Sequence, residues 1–456
     1  EERYENLEKQ LIILYGRRRI GKTELIKKFI SDKPSIYFLA DQRGTTSNAS
    51  RFTQKIVQYF GENLELKVNN FDDAFRYLND RLESGEKPVI AIDEFSYLVK
   101  ENNSIPSVFQ LVWDEILEKE VFLILCGSLV SMMREKTLSR KSPLYGRRTG
   151  QWKLKPLKFK HLSYFFPNYD IREKITTFSI LGGIPAYLVQ FDPKKKVTEN
   201  IRNEILQKGR FLFEEVDLLL REELRQPGRY KSILEAMAKG NTRITDIANE
   251  AGLKAKDLPR YLGILRDLDL VEKHYPVTKS HPKRGIYKIK DNYFKFWFRF
   301  IFPRKGELEI GNHERVLATI TEGQNRYISS IFEEICKQVV EEEHFPVKCS
   351  KIGKWWYREE EIDLVGLDEG KKEILFGECK WSRQPIGVHV LKDLEEKARK
   401  VQWKRDRREE WYALFSKSGF RPELKKLNRR DLLLFDLERM EKIFRQGLSN
   451  PPNQFC

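Results

Sequence analysis

No run of apolar residues in this chain approaches the roughly 18 needed to cross a bilayer as a helix, so a membrane partner is not expected. The five cysteines (Cys126, Cys336, Cys349, Cys379 and Cys456) include no CxxC pair. That spacing excludes a zinc ribbon or a disulfide framework and suits a reducing cytoplasm, the expected location. The six histidines are equally scattered, with no HExxH or comparable metal spacing. The opening Glu1-Glu2-Arg3-Tyr4 lacks the basic and apolar regions of a secretory signal. It also lacks an initiator Met, so the sequence is expected to begin inside a longer chain.

What is present points to packed domains. Hydrophobic residues make up 40% and aromatics 12% of 456 residues, which excludes wholesale disorder and favours two to four domains. Lys and Arg total 84 against 68 Asp and Glu, a formal net charge of +16. Such a surplus favours polyanions by counterion release, making nucleic acid the partner to test. The charged fraction of 33% fits equally a surface built for solubility and heat tolerance.

Leu11-Ile12-Ile13-Leu14-Tyr15 has the continuous apolar character of a buried parallel strand. It runs into Gly16-Arg17-Arg18-Arg19-Ile20-Gly21-Lys22-Thr23 and then a helical pattern from Glu24 to Ile30. This strand, glycine turn and helix make a P-loop. Backbone N–H groups along Gly16 to Thr23 converge on ATP phosphates at a helix N-terminus. Lys22 reaches the β- and γ-phosphates, and the Thr23 hydroxyl ligates Mg²⁺. Downstream, Val89-Ile90-Ala91-Ile92 passes directly into Asp93-Glu94. This resembles a Walker B element, in which Asp93 holds the Mg²⁺ shell and Glu94 orients and polarises the attacking water. A strand ending in a solvated acidic turn is the plainer reading. Ser128 follows a third strand, Val121 to Cys126, as a γ-phosphate sensor or simply a helix cap. Arg147 and Arg148, after Ser142-Pro143-Leu144-Tyr145-Gly146, suit an arginine finger, a DNA-phosphate contact or a solvated loop. A finger acting between subunits would imply a homo-oligomer. Leu181-Gly182-Gly183-Ile184-Pro185 marks a turn and a candidate hinge.

Taken in order, GRRRIGKT, IAIDEF, CGS, PLYGRR and LGGIPAYL resemble the archaeal-type P-loop ATPases, relatives of AAA+ and STAND NTPases. The resemblance covers most of residues 11 to 220. The family's opening segment, with an Arg and a Glu before the first strand, is only partly visible, which leaves the adenine contacts unassigned.

Helical patterns at 230–238, 244–252 and from about Asp257 precede a strand, a basic loop and a second strand to Ile289. This reads as a winged helix-turn-helix, which the ATPase family commonly carries here. Its candidate DNA contacts are Lys254, Lys256, Arg260, Lys279, Lys283 and Arg284, the alternative being a structural or protein-contact module. The aromatic stretch 291–300 is expected to pack a core rather than stack bases.

Near the C-terminus, Glu361 to Leu367 and Ile374 to Trp381 form a hairpin pattern about Gly370-Lys371. Folding it places Asp363 across from Glu378, with Lys380 on the Glu378 face. Carboxylates and a lysine on an apolar hairpin are costly unless they bind a cation or do chemistry, an exposed ion pair being the alternative. The pattern resembles the PD-(D/E)xK nuclease core. That resemblance implies Mg²⁺ on Asp363 and Glu378, water activation by Lys380, and a further ligand, Glu333 rather than Glu334, on the preceding helix.

The expected fold is thus a multidomain α/β chain. A P-loop, AAA-like parallel sheet (1–160) carries a helical lid (161–225), then a winged helix-turn-helix (226–300) and a C-terminal restriction-endonuclease-like α/β domain (315–445). The expected function is a Mg²⁺-dependent ATPase acting on DNA. The alternative is a nucleotide-dependent regulatory switch whose C-terminal domain is not catalytic.

Overall fold

The computed structural model describes residues 1–6, 8–279, 285–342 and 345–449. They form two compact units, residues 1–156 with 267–269, and the remainder of the described chain.

The first unit is built on five strands: β1 Gln10–Tyr15, β2 Ser35–Leu39, β3 Val89–Asp93, β4 Phe122–Gly127 and β5 Gly150–Lys153. They lie in the order β2-β3-β4-β1-β5, and all are parallel. The unbroken apolar runs of β1, β3 and β4 are explained by burial on both faces. Leu11, Ile13, Ile90, Ile92, Leu123 and Leu125 share one core with Phe52, Phe75 and Phe109. Ile12, Leu14, Ala91, Ile124 and Cys126 line the opposite core. β1, β3 and β4 are neighbours and point the same way, so their carboxyl ends share one edge, where an open α/β sheet binds its ligands.

The segments expected as separate lid, winged-helix and C-terminal domains lie together in the second unit. The aromatic stretch explains why. Tyr293, Phe294, Phe296, Trp297 and Phe298 are each at most 1% exposed. Beside them the Tyr327 hydroxyl is shared between the carbonyls of Ser179 (3.0 Å) and Asn292 (2.9 Å), tying three segments into one body. These rings pack a core, as their spacing predicts. The Gly182-Gly183 turn, anticipated as a hinge, is a close backbone crossing. A Cβ on Gly183 would lie 1.9 Å from the Leu157 carbonyl oxygen, and the Leu157 N–H donates to the Gly183 carbonyl at 2.7 Å.

Helices Pro227–Ala238, Ile244–Glu250 and Leu258–Asp267 precede an antiparallel pair, β6 Val271–His274 and β7 Ile286–Ile289. Leu258, Leu262 and Leu265 form the buried stripe of the third helix. A 28-residue helix, His313–Val340, leads into β8 Lys351–Tyr357, β9 Glu360–Asp368, β10 Glu373–Lys380, β11 Glu409–Ser416 and β12 Leu432–Asp436. Their order is β12-β11-β10-β9-β8. The β8–β9 and β9–β10 pairs are antiparallel, whereas β10, β11 and β12 are mutually parallel. Helix Val388–Arg399 covers this sheet through Leu391, Leu394 and Ala398. Among the described residues, no helix is long and apolar enough to cross a membrane.

Candidate functional site

The P-loop leaves β1 at Tyr15 and turns through two left-handed residues, Arg19 (φ 69°) and Gly21 (φ 93°), before helix Lys22–Ile30 begins. At Gly16 a Cβ would lie 2.9 Å from the Leu154 carbonyl oxygen, so only glycine lets the loop pass this close to its neighbour. The Lys22 ammonium is buried and donates to the carbonyls of Gly16 (2.9 Å) and Arg17 (3.1 Å). Burial holds its pKa below the usual lysine value, only partly offset by Cys126, Glu94 and Asp93. The Thr23 hydroxyl donates to Asp93 Oδ2 at 2.6 Å, and the Tyr37 hydroxyl donates to the same oxygen at 3.0 Å. Glu94 sits at φ 55°, ψ 35°, a strained left-handed position for a non-glycine residue. Its Oε2 accepts the Ser128 hydroxyl at 2.7 Å.

Lys22, Thr23, Asp93, Glu94 and Ser128 are therefore one cluster at the carboxyl ends of β1, β3 and β4. A buried carboxylate and a hydroxyl in contact are the hard oxygen donors Mg²⁺ takes, and the loop ends at the N-terminus of helix Lys22–Ile30, whose N–H groups suit a phosphate. Two members escaped the sequence reading. Tyr37 comes from the adjacent strand β2, paired with β3. Cys126, fully buried, has its thiol pKa pushed well up by burial and then by Asp93.

The arginines are placed differently. Arg18 donates to the Tyr97 hydroxyl at 2.6 Å. Arg147 is clamped on Asp114, its Nε donating to both carboxylate oxygens (2.9 and 2.8 Å) and its second guanidinium nitrogen lying 2.7 Å away. Arg148 stacks over the Tyr145 ring at 5.2 Å.

In the second unit, Lys254, Lys256, Arg260 and Lys279 are exposed, whereas Lys283 and Arg284 lie outside the described residues. Lys254 and Lys256 line an open cavity of about 740 Å³ together with Arg229, Ser232 and Gly252.

The hairpin of β9 and β10 pairs Phe376 with Val365 and Gly377 with Leu364, the register that sets Glu378 beside Asp363. Asp363 Oδ2 accepts the Cys379 N–H at 3.0 Å. Burial, then the charges of Glu378 and Glu333, raise the Asp363 pKa to about 7. Glu378 Oε1 accepts the Lys380 ammonium at 2.6 Å, while Oε2 lies 3.6 Å from Lys397 Nζ. Both residues line a cavity of about 290 Å³ with Asp393, Glu396 and Lys397. Burial lowers the Lys380 pKa, but the bond to Glu378 more than offsets it. Among the described residues, Glu333, Glu361 and Asp363 form a carboxylate trio, with one oxygen of each within 4.8 Å of the others. Glu361 and its partner Lys354 were not anticipated. Glu361 lies two residues from Asp363, so strand periodicity carried the signal.

Residues 1–191 match the family described as an ATPase domain predominantly from Archaea, and residues 297–401 match one described as Archaea bacterial proteins of unknown function. The chain is 38% identical over 437 residues to the protein MJECL04 of Methanocaldococcus jannaschii, which spans 94% of each chain. Among solved structures it is similar to the Walker-type ATPase paby2304 of Pyrococcus abyssi, at 24% identity and a TM-score of 0.46 over 63% of this chain and 91% of that one. It is also similar to the Aeropyrum pernix ORC2 protein in its ADPNP–ADP complexes, at 13% identity and a TM-score of 0.40 over 69% and 89%. A match of this extent and identity means that the chain belongs to one family with MJECL04, and residues 1–191 carry an archaeal-type ATPase domain.

Proposed function

We propose that this chain is a Mg²⁺-dependent ATP hydrolase acting on DNA, in which nucleotide binding and hydrolysis gate a winged helix and a nuclease-like C-terminal region. The observation that carries the reading is the Thr23–Asp93 contact of 2.6 Å beside the buried Lys22 ammonium. Backbone N–H groups of the Gly16–Thr23 turn bind the phosphates, and Lys22 exchanges its two carbonyl partners for phosphate oxygens. Thr23 and Asp93 hold Mg²⁺, which when bound neutralises the charge on the β- and γ-phosphates. Glu94 orients the attacking water and takes its proton, with the Ser128 hydroxyl fixing the carboxylate. Nucleotide turnover measured in Lys22→Ala and Glu94→Gln tests this assignment. Steady hydrolysis surviving both substitutions would place the site elsewhere.

The DNA-directed half rests on the net charge of +16, on the basic cavity at Lys254 and Lys256, and on the meeting of Asp363, Glu378 and Lys380. By that reading Asp363, Glu378 and Glu333 hold Mg²⁺ and Lys380 orients the hydrolytic water. Branched, single-stranded and duplex DNA incubated with Mg²⁺ or Mn²⁺ supply the test. Cleavage unchanged in Glu378→Ala and Lys380→Ala rejects these catalytic roles. A second reading, a nucleotide-driven regulatory switch whose C-terminal region only binds, is favoured by one observation. Each carboxylate there already has a lysine close by.

A further inference from the structure

Lys354 lies where β8 and β9 lose register. Gly353 pairs with Val365 and Trp355 with Ile362, so the single residue Lys354 faces both Asp363 and Leu364. A bulge of this kind re-aims the side chains on either side of it. Here it delivers an ammonium into the carboxylate trio. Lys354 Nζ lies 2.5 Å from Glu333 Oε2 and also ion-pairs with Glu361. The main chain at this point is pinned, because the Val277 N–H donates to the Lys354 carbonyl at 2.9 Å. A Cβ on Gly353 would in addition come within 3.3 Å of Val277 Cβ. The side chain can leave, but the strand cannot follow it.

The surrounding groups explain why a cation is needed here at all. Glu333, Glu361 and Asp363 converge to within 4.8 Å, and Glu378 adds its charge to Asp363. Unscreened, that much like charge would drive the carboxylates apart. Lys288 on β7 is close enough to Lys354 for the two ammonium groups to oppose each other. A second positive charge therefore already presses on Lys354. Glu378 is 6% exposed, and its buried Oε2 accepts no hydrogen bond but lies 3.6 Å from Lys397 Nζ, a loose ion pair that a bound cation would replace.

We propose that Lys354 is a built-in counter-cation: its ammonium keeps Glu333, Glu361 and Asp363 assembled as an oxygen set, and a divalent cation binds by displacing it. This rests on reading the C-terminal sheet as a cation site. Glu361 then joins the ligand set. The arrangement keeps the set preformed without metal, at the expense of affinity, since every loading event must expel a charge of the same sign.

The test is Mn²⁺ binding to the full chain, followed by loss of the free-ion electron paramagnetic resonance signal. The C-terminal component is the one that Asp363→Asn removes. Lys354→Met is expected to tighten that component by about tenfold or more, and Lys354→Arg to leave it within about threefold of the parent chain. Equal Mn²⁺ affinity in the parent and Lys354→Met would overturn the counter-cation role while leaving the cation site standing. Absence of any component sensitive to Asp363→Asn would overturn the site itself, and the proposal with it. Should Lys354→Met fail to fold, judged by circular dichroism, Lys354→Gln replaces it. The second readout is the rise in Tm on adding Mn²⁺, expected to be larger in the variant than in the parent. An equal rise rejects the proposal.

Discussion

The two carboxylate clusters solve the same problem in opposite ways. In the P-loop unit, acids at the ends of buried strands are satisfied by hydroxyls: Asp93 by Thr23 and Tyr37, Glu94 by Ser128. Lys22 meanwhile is held by main-chain carbonyls. In the second unit the acids are satisfied by ammonium groups, Glu378 by Lys380, and Glu333 and Glu361 by Lys354. A hydroxyl can stay in place when a cation arrives, because it can turn its lone pairs to the ion. An ammonium cannot, so it must move. On the proposed reading, the first cluster is ready for a cation, and the second must exchange one cation for another.

Substitutions can break or sharpen this contrast. The largest effect is expected at Glu94, where Glu94→Gln should lower steady ATP turnover by about 10²–10⁴-fold while nucleotide binding persists. Next comes Asp363, whose pKa is raised from 3.8 to about 7 by burial and by Glu378 and Glu333. The folded chain holds this proton more tightly than the unfolded chain does. The stability it contributes is complete below pH 3.8 and is lost as the pH rises to about 7. In metal-free buffer at about pH 8, Asp363→Asn should therefore raise Tm by roughly 5 °C, a gain that shrinks toward about pH 4. No such rise with pH would mean that the second cluster is as well satisfied as the first. Ser128→Ala should reduce turnover by up to about tenfold through a mispositioned Glu94, leaving nucleotide affinity unchanged. The smallest effect belongs to Tyr37→Phe. It removes one of the two hydroxyls on Asp93 and should weaken Mg²⁺-dependent nucleotide binding by roughly threefold, measured by calorimetry.

Legibility in the sequence followed contiguity. Gly16 to Thr23 and Asp93-Glu94 are unbroken stretches whose residue order encodes their geometry, and the Asp363–Glu378 pairing follows from counting back along a hairpin from its turn. Tyr37 and Cys126 could not be read, because their place beside Asp93 depends on strand order, with β3 between β2 and β4. Lys354 was hidden for a different reason: it lies on β8, a strand that the hairpin pattern does not include, so nothing set it opposite Asp363. Arg147 shows the limit of motif reading. Its basic loop is plain in the sequence, but the partner that holds it, Asp114, is 33 residues away. Tyr327 and the rings of 293–298 join segments that the sequence presents only as separate stretches.

The buried thiols offer a way to watch the two clusters open. Cys126 lies in the first unit with 0% exposure, and Cys336 and Cys379 in the second with 0% and 5%. Burial raises the pKa of all three, so none presents a ready thiolate to a reagent while its strand or helix stays in place. Their rates of alkylation are therefore clocks, native to the chain, for how often each unit comes apart. Nucleotide should slow the first clock, and a divalent cation the second.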